Sequence, residues 1–432
     1  QENREFLSHS AKFLACEYGE LFGNCVAESE ELYAYMDLTK SPGFPGSHFG
    51  IRTKRELLMD PAYKKFCEQH NRYYLPLMPI WTASPKKEFK LMEDILKNKI
   101  RMFQIPPFEL LRSQLKFGKR ISLRMKEFKW SAYGFNPYEG GVNKLAMQLL
   151  KNPWRFIYDV SGWDKYLPVL SIVYGVIQNN CGYSEWVTKN QAEFDWMVSN
   201  TINHILKMPD GSVYLKKYGN PSGSGCTTRD NILAHVLIMS YALSKAFYKK
   251  NGRMPTMDEI AKQIIYLFGD DSICSVEDEF SEICSEEFLS SIYAEFGMKL
   301  KFFVGGYEIP LEELSFLGFN FIFKDGFYYP KYDVVRLASS MLYEDGEPLD
   351  RPSHISKAYV LTIMSYPTEH FQVFQRAYDN LLKSVSRPSD ETEMAFKRMG
   401  GVTPQMCKLI YQGLEASSLL DFFYSAGGGT KN

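Results

Sequence analysis

Apolar positions along the chain fall into alternating strand-like and helix-like stretches. "FIYD" reads as a buried strand through Phe156, Ile157 and Tyr158, broken at Ser161-Gly162. From Leu170 to Ile205 the apolar spacing is helical, and Leu206 to Gly223 reads as a hairpin turning at Pro209-Asp210-Gly211. A Gly-rich loop then gives way to a helix from about Asp230. Its stretch Ile232 to Tyr248 is interrupted by His235, Ser240, Ser244 and Lys245. It therefore reads as a buried helix and falls short of the ~18 consecutive apolar residues of a membrane span. A second hairpin follows: Ile264 to Phe268, a Gly269-Asp270-Asp271 turn, then Ser272 to Val276. Glu286 to Phe296 is helix-like, short strands run to Tyr332, and from about Arg351 the pattern is mostly helical. The end, "SAGGGTKN", has the composition of a flexible tail. The first third is mixed. It holds a turn-rich loop from Thr39 to Ser47, a basic segment from Lys86 to Phe103, and a loop from Gly134 to Gly141 that leads into a short helical pattern. The whole reads as an α+β chain without internal repeats.

Composition narrows this picture only a little. With 432 residues and 45% hydrophobic content, the chain can bury a large core and divide into subdomains. Its 28 Tyr and 31 Phe exclude a disordered chain. Fifty basic against 51 acidic residues neither require nor exclude nucleic acid, because a basic channel can be offset by acidic patches elsewhere. Eight scattered cysteines without CxxC pairs point to a reduced intracellular protein with no zinc site; Cys67 and His70 have ligand-like spacing but lack a second pair. The N-terminus has neither Met nor a signal-peptide pattern, which fits a cut from a longer precursor and equally an artificial boundary.

Chemistry enters with "YLFGDDSICSV", where adjacent acids sit between two apolar runs. Alone, a Gly-Asp-Asp turn is ordinary hairpin chemistry. A carboxylate at another strand end changes the balance, and Asp159 ends "FIYD", with Asp164 five positions on. Two divalent ions ~3.5–4 Å apart, held by shared carboxylates, can activate a 3′-hydroxyl and stabilise a leaving pyrophosphate. Magnesium needs few protein oxygens and leaves positions for water and substrate phosphates. Asp159, Asp270 and Asp271 meet that need. The third piece, "PSGSGCTTRDN", has glycines that allow close backbone approach and short polar side chains at Ser222, Thr227 and Asn231. As plain structure it is a loop and a helix start capped by Thr228 or Asp230.

In this order the pieces resemble the RNA-dependent RNA polymerases of positive-strand RNA viruses, in the picornavirus-like groups that include calici- and astroviruses. The resemblance runs from about Thr39 to Phe319. "DVSGWD" is similar to the first palm motif, "SGSGCTTRDN" to the second and "FGDD" to the third, with Phe268 where Tyr is usual. "TKSPGFPG" resembles the loop at the template entrance (Ser41, Gly43, Pro45), "KKEFK" with "KIR" a basic fingers motif, and "FLGF" the turn at the palm–thumb junction.

The resemblance implies a right-hand polymerase fold. Its fingers would comprise residues 1–150 and an insertion at 170–219; its palm, with an antiparallel sheet, residues 151–169 and 220–350; its thumb and tail residues 351–432. It implies Asp159, Asp270 and Asp271 as ligands of catalytic Mg2+, with Mn2+ able to substitute. Lys86, Lys90, Lys99 and Arg101 would meet the triphosphate, and Asp164, Ser222, Gly223, Thr227 and Asn231 the rest of the nucleotide, including its 2′-hydroxyl. Lys299 is the candidate general acid, although spacing alone does not separate it from Lys301. Single-stranded RNA template, an RNA or protein primer, NTPs and other viral replication proteins are the implied partners. The implied place is the host cytoplasm, at membrane-associated replication complexes. A small thumb favours primer-dependent initiation. The competing readings are a reverse transcriptase-like enzyme and a catalytically silent RNA-binding scaffold.

Overall fold

The computed structural model describes residues 2–23, 25–70, 78–86, 92–97, 99–181, 183–342, 349–388 and 390–413, without the side chains of 2, 29, 30, 66–70 and 183–188. Cys67, His70, Lys90 and the C-terminal tail thus have no described side chains. The chain is mixed α+β and forms two compact units. The first is Gln1–Tyr133 with Tyr158–Phe303; the second is Gly134–Ile157 with Val304–Asn432.

The first unit is organised by one long helix, α2 (Thr227–Asn251), which is buried on nearly every face from Arg229 to Phe247. Its N-cap is Cys226, which makes no side-chain cap bond, so the capping expected of Thr228 or Asp230 does not occur. Asp230 lies inside the first turn instead. Its carboxylate accepts from Arg229 Nε at 2.7 Å and from the Tyr174 hydroxyl at 2.6 Å, a buried arrangement that leaves no bare charge. The helix α1 (Glu2–Phe22) packs on α2 and on the helix Leu170–Asn180. α1 was not legible in the mixed N-terminal pattern, although Phe6, Phe13, Leu14, Tyr18 and Phe22 bury one face.

Two sheets flank this helical core. Strands β1 (Ile80–Pro85), β2 (Met102–Ile105), β4 (His204–Lys207) and β5 (Val213–Lys216) form one, in the order β2-β1-β4-β5. β4 and β5 are the hairpin expected around Pro209-Asp210-Gly211, paired from His204↔Lys216 to Lys207↔Val213. The other has the order β6-β7-β3-β8, from β3 (Trp154–Ser161), β6 (Ile264–Phe268), β7 (Asp271–Val276) and β8 (Lys299–Tyr307). The outer edge of β6 is covered by Trp130 to Ala132: Leu267 N donates to the Trp130 carbonyl, and Ala132 N to the Leu267 carbonyl, each at 2.8 Å. Such cover satisfies backbone groups that an open edge would leave unpaired.

In the second unit, β9 (Ser315–Phe316), β10 (Phe319–Lys324) and β11 (Phe327–Tyr332) form a three-stranded sheet in the order β11-β10-β9. Its core gathers Tyr329, Ile355, Tyr359, Tyr366, Tyr378 and Tyr411. A helix at Val334–Leu342 precedes the helical run expected from about Arg351.

Candidate active site

The paired acids occupy different positions in the hairpin. Phe268 and Asp271 face each other across β6 and β7, so the hairpin loop is only Gly269 and Asp270. Two-residue hairpins need a positive φ at the first loop position, and Gly269 supplies +66° without strain. Asp270 is therefore the turn tip, whereas Asp271, expected in the turn, begins β7.

Asp159 comes from β3 and receives the Lys301 ammonium, Nζ to Oδ2 at 2.7 Å. Asp270 keeps its own contact with solvent, yet protein atoms crowd the space around it. Desolvation, then the nearby charge of Asp159, push its carboxyl above the usual carboxylate range; Arg101 and Lys301 pull the other way. Asp159, Asp270, Lys301 and Arg101 thus share one electrostatic neighbourhood. Among the described residues no group of three or more His, Cys, Asp or Glu is placed to hold a metal ion, so the three aspartates are not gathered as a ready-made trio. The donor set still suits a hard divalent ion that takes one or two carboxylates and fills its remaining positions with water and phosphate.

The second cluster is built around Asn231, on the first turns of α2. Trp163 Nε1, a pure donor, points at Asn231 Oδ1 at 3.1 Å, and Asn220 Nδ2 donates to the same oxygen at 2.8 Å. The amide orientation is thereby fixed: Asn231 Nδ2 must face the other way, and it donates to Asp164 Oδ1 at 2.8 Å. Burial, then Asp270, raise the Asp164 carboxyl, opposed by Asn231, Lys216 and Arg101. Asn220 also donates to the Thr227 carbonyl at 3.0 Å, while its own buried Oδ1 has no partner among the described residues. The Thr227 hydroxyl is turned into the loop, donating towards the carbonyls of Pro221 at 2.8 Å and Ser224 at 3.0 Å. Ser222 is exposed. Gly223 lies so close to β2 that an added Cβ would come within 1.8 Å of the Gln104 carbonyl oxygen, which only glycine avoids.

That approach brings the loop to the strand that follows Arg101. Lys86 N donates to the Arg101 carbonyl at 2.8 Å, and both side chains are exposed. Lys99 is engaged with Asp94 at 2.9 Å. Lys301, two residues beyond Lys299 on β8, is the lysine that reaches Asp159. At the turn-rich loop, Ser41 Oγ accepts from Gly43 N at 3.2 Å, and Gly43 sits against the Pro106 carbonyl. Beside Pro45, the Phe44 ring lies 5.5 Å from Lys207 Nζ. These loop residues are tied to the first sheet and its flanks, and none of these bonds reaches the carboxylates.

Sequence reasoning missed Trp163, Asn220, Lys216 and His235. Lys216 is pushed down to about 8, chiefly by burial and against the pull of Asp164. Trp163 lies inside "DVSGWD" and Asn220 directly precedes "PSGSG", so position relative to the motifs was the available signal.

Asp159, within β3, lies in the electrostatic reach of the Gly-Asp-Asp hairpin, with a locked Asn–Asp pair next to it, and comparison with known sequences gives the class of protein. Residues 7–387 match the family described as viral RNA-dependent RNA polymerase, and the chain belongs to it. Similar proteins include the non-structural polyprotein 1AB of Turkey astrovirus 1, 25% identical over 382 residues (84% of this chain, 23% of the polyprotein). The genome polyprotein of Watermelon mosaic virus II (isolate USA) is 26% identical over 313 residues (69% and 28%). Polyprotein 1AB of Turkey astrovirus 2 is 27% identical over 253 residues (56% and 15%). The matched stretches span 15% to 28% of these polyproteins.

Proposed function

We propose that this chain performs template-directed RNA synthesis, joining NTPs to the 3′-hydroxyl of an RNA or protein primer on a single-stranded RNA template. The observation that carries the reading is the meeting of Asp159 and Asp270, far apart in sequence, beside the Asn231–Asp164 pair in a member of this family. The fold is read as a right hand with the fingers, palm and thumb bounds given above. Asp159 and Asp270, with Asp271 assisting, would hold Mg2+ or Mn2+, whose charge would activate the hydroxyl and stabilise the leaving pyrophosphate. Arg101 and Lys86 bind triphosphate oxygens, and Lys90 and Lys99 belong to the same basic segment. Asp164 and Asn231 read the 2′-hydroxyl, and Ser222 is open to join them. Thr227 and Gly223 shape the loop that places these groups. Of the two candidate lysines, Lys301 is assigned as the proton donor to the leaving pyrophosphate, because it is the one beside Asp159. The chain acts with other viral replication proteins at membrane-associated complexes of the host cytoplasm; among the described residues no helix is long and apolar enough to cross a membrane.

Asp270→Asn is expected to abolish primer extension, by at least about a thousandfold, while template-RNA binding by filter retention stays within about twofold; the first figure follows from losing a metal-held charge in the transition state. Extension at the unmodified rate would refute the assignment. Faster use of deoxynucleotides than ribonucleotides by the unmodified chain would favour the reverse transcriptase-like reading.

A further inference from the structure

The turn that carries Asp270 is held by a buried chain of hydrogen bonds whose directions can be deduced. His235, on α2, has Nδ1 at 3.0 Å from the Gly269 carbonyl oxygen and Nε2 at 2.6 Å from the Tyr158 hydroxyl. A carbonyl can only accept, so Nδ1 carries a proton. Burial pushes this imidazole down to about 4, so it is neutral near pH 7 and Nε2 must accept from Tyr158. Tyr158 has then given its only proton and accepts from the Tyr293 hydroxyl at 3.0 Å. Tyr293 belongs to α3 (Glu286–Glu295), and Tyr158 immediately precedes Asp159 on β3. The Trp163 ring, which also donates to Asn231, lies 4.6 Å from the His235 ring. Asn231 and His235 are one helical turn apart, so a single face of α2 serves the Asp164 cluster and the Asp270 turn.

We propose that His235 is a positioning residue that holds the Gly269–Asp270 turn to β3, as the neutral imidazole protonated at Nδ1, so that Asp270 and Asp159 are presented together. The proposal rests on reading those two aspartates as metal ligands. His235 reaches no substrate itself; its effect passes through a backbone carbonyl and through the residue preceding Asp159. Outer partners of this kind set ligand orientation, and their loss typically costs about 10- to 100-fold in metal affinity.

The test uses the full chain. With ring-15N histidine, long-range 1H–15N correlation is expected to show His235 protonated at Nδ1 only; an Nε2–H form would overturn the proposal. Mn2+ titration without RNA, followed by the EPR signal of the free ion, is expected to weaken about tenfold or more in His235→Leu. The Mg2+ needed for half-maximal extension should rise in parallel while the NTP KM changes little. His235→Asn keeps an amide donor near the Nδ1 position and should recover most of the loss. Wild-type metal affinity in a folded His235→Leu chain sinks the proposal. If that variant does not fold, Tyr158→Phe replaces it, removing one hydroxyl and keeping the ring; it is expected to weaken Mn2+ binding measurably, and no change would overturn the proposal. The two readings fail differently. Full extension by Asp270→Asn removes the metal-ligand reading, whereas its loss together with an unaltered metal requirement in the His235 and Tyr158 variants removes only the positioning role.

Discussion

Asn231 shows how much one side chain's meaning depends on its neighbours. Its amide is oriented by a donor that cannot accept, Trp163 Nε1, and so offers its own N–H to Asp164. A site arranged around a hydroxyl leaves polar groups unpaired when the hydroxyl is missing. Asn231→Ala is therefore expected to narrow the preference for ribo- over deoxynucleotides by about tenfold, the scale of one buried hydrogen bond to a charged group. Single-nucleotide incorporation with matched NTP and dNTP measures the ratio, and an unaltered ratio removes Asn231 from sugar recognition. Arg101 gives a second prediction with a definite sign. Its charge lowers carboxyls at Asp270 and Asp164 that burial raises. Arg101→Gln should move the acid limb of the extension rate to higher pH, because the carboxylates then hold their protons longer; a pH–rate profile at saturating NTP checks the direction.

At the scale of elements, α2 carries the most consequence per residue. His235 within it has its ordinary value of 6.5 pushed down to about 4 by burial. The unfolded chain therefore binds the extra proton first. The stabilisation is complete above about pH 6.5 and is lost as pH falls towards 4, with a slope of up to about 1.4 kcal/mol per pH unit. His235→Asn should remove that share of the slope, seen as a flatter dependence of urea-unfolding free energy on pH between those limits. His204, similarly pushed down to about 4, keeps its own contribution in both proteins. The β6–β7 hairpin was legible because alternating apolar residues flank a glycine turn. α1 was not. Its buried face includes Ser10, whose hydroxyl donates to the Phe6 carbonyl at 2.9 Å and so hides a polar residue in an apolar stripe. The β1–β2 pair was also unreadable, because the intervening basic segment dominates the local pattern.

For the molecule as a whole, initiation is the property that no single residue decides. Primer-dependent initiation, from an RNA or protein primer, is the mode proposed for this chain. Extension on a homopolymer RNA template is expected to require an added primer in Mg2+ and to remain primer-stimulated in Mn2+. Equal product without primer in both metals would exclude a primer-dependent enzyme. Sequence by itself determined the residue types and their order. Asp159 and Asp164 lie within six residues, Ser222, Thr227 and Asn231 within ten, and Gly269 to Asp271 are contiguous, so each motif keeps its signature whatever the rest of the chain does. Only the tertiary structure decided which groups share a field. It chose Lys301 for Asp159, set Asp270 at the turn tip with Asp271 in the strand, turned Thr227 inward and ran a buried bond chain from Tyr293 to Gly269. The physical reason is that charge and hydrogen-bond energies depend on separations of a few ångströms, and distance along the chain does not encode them.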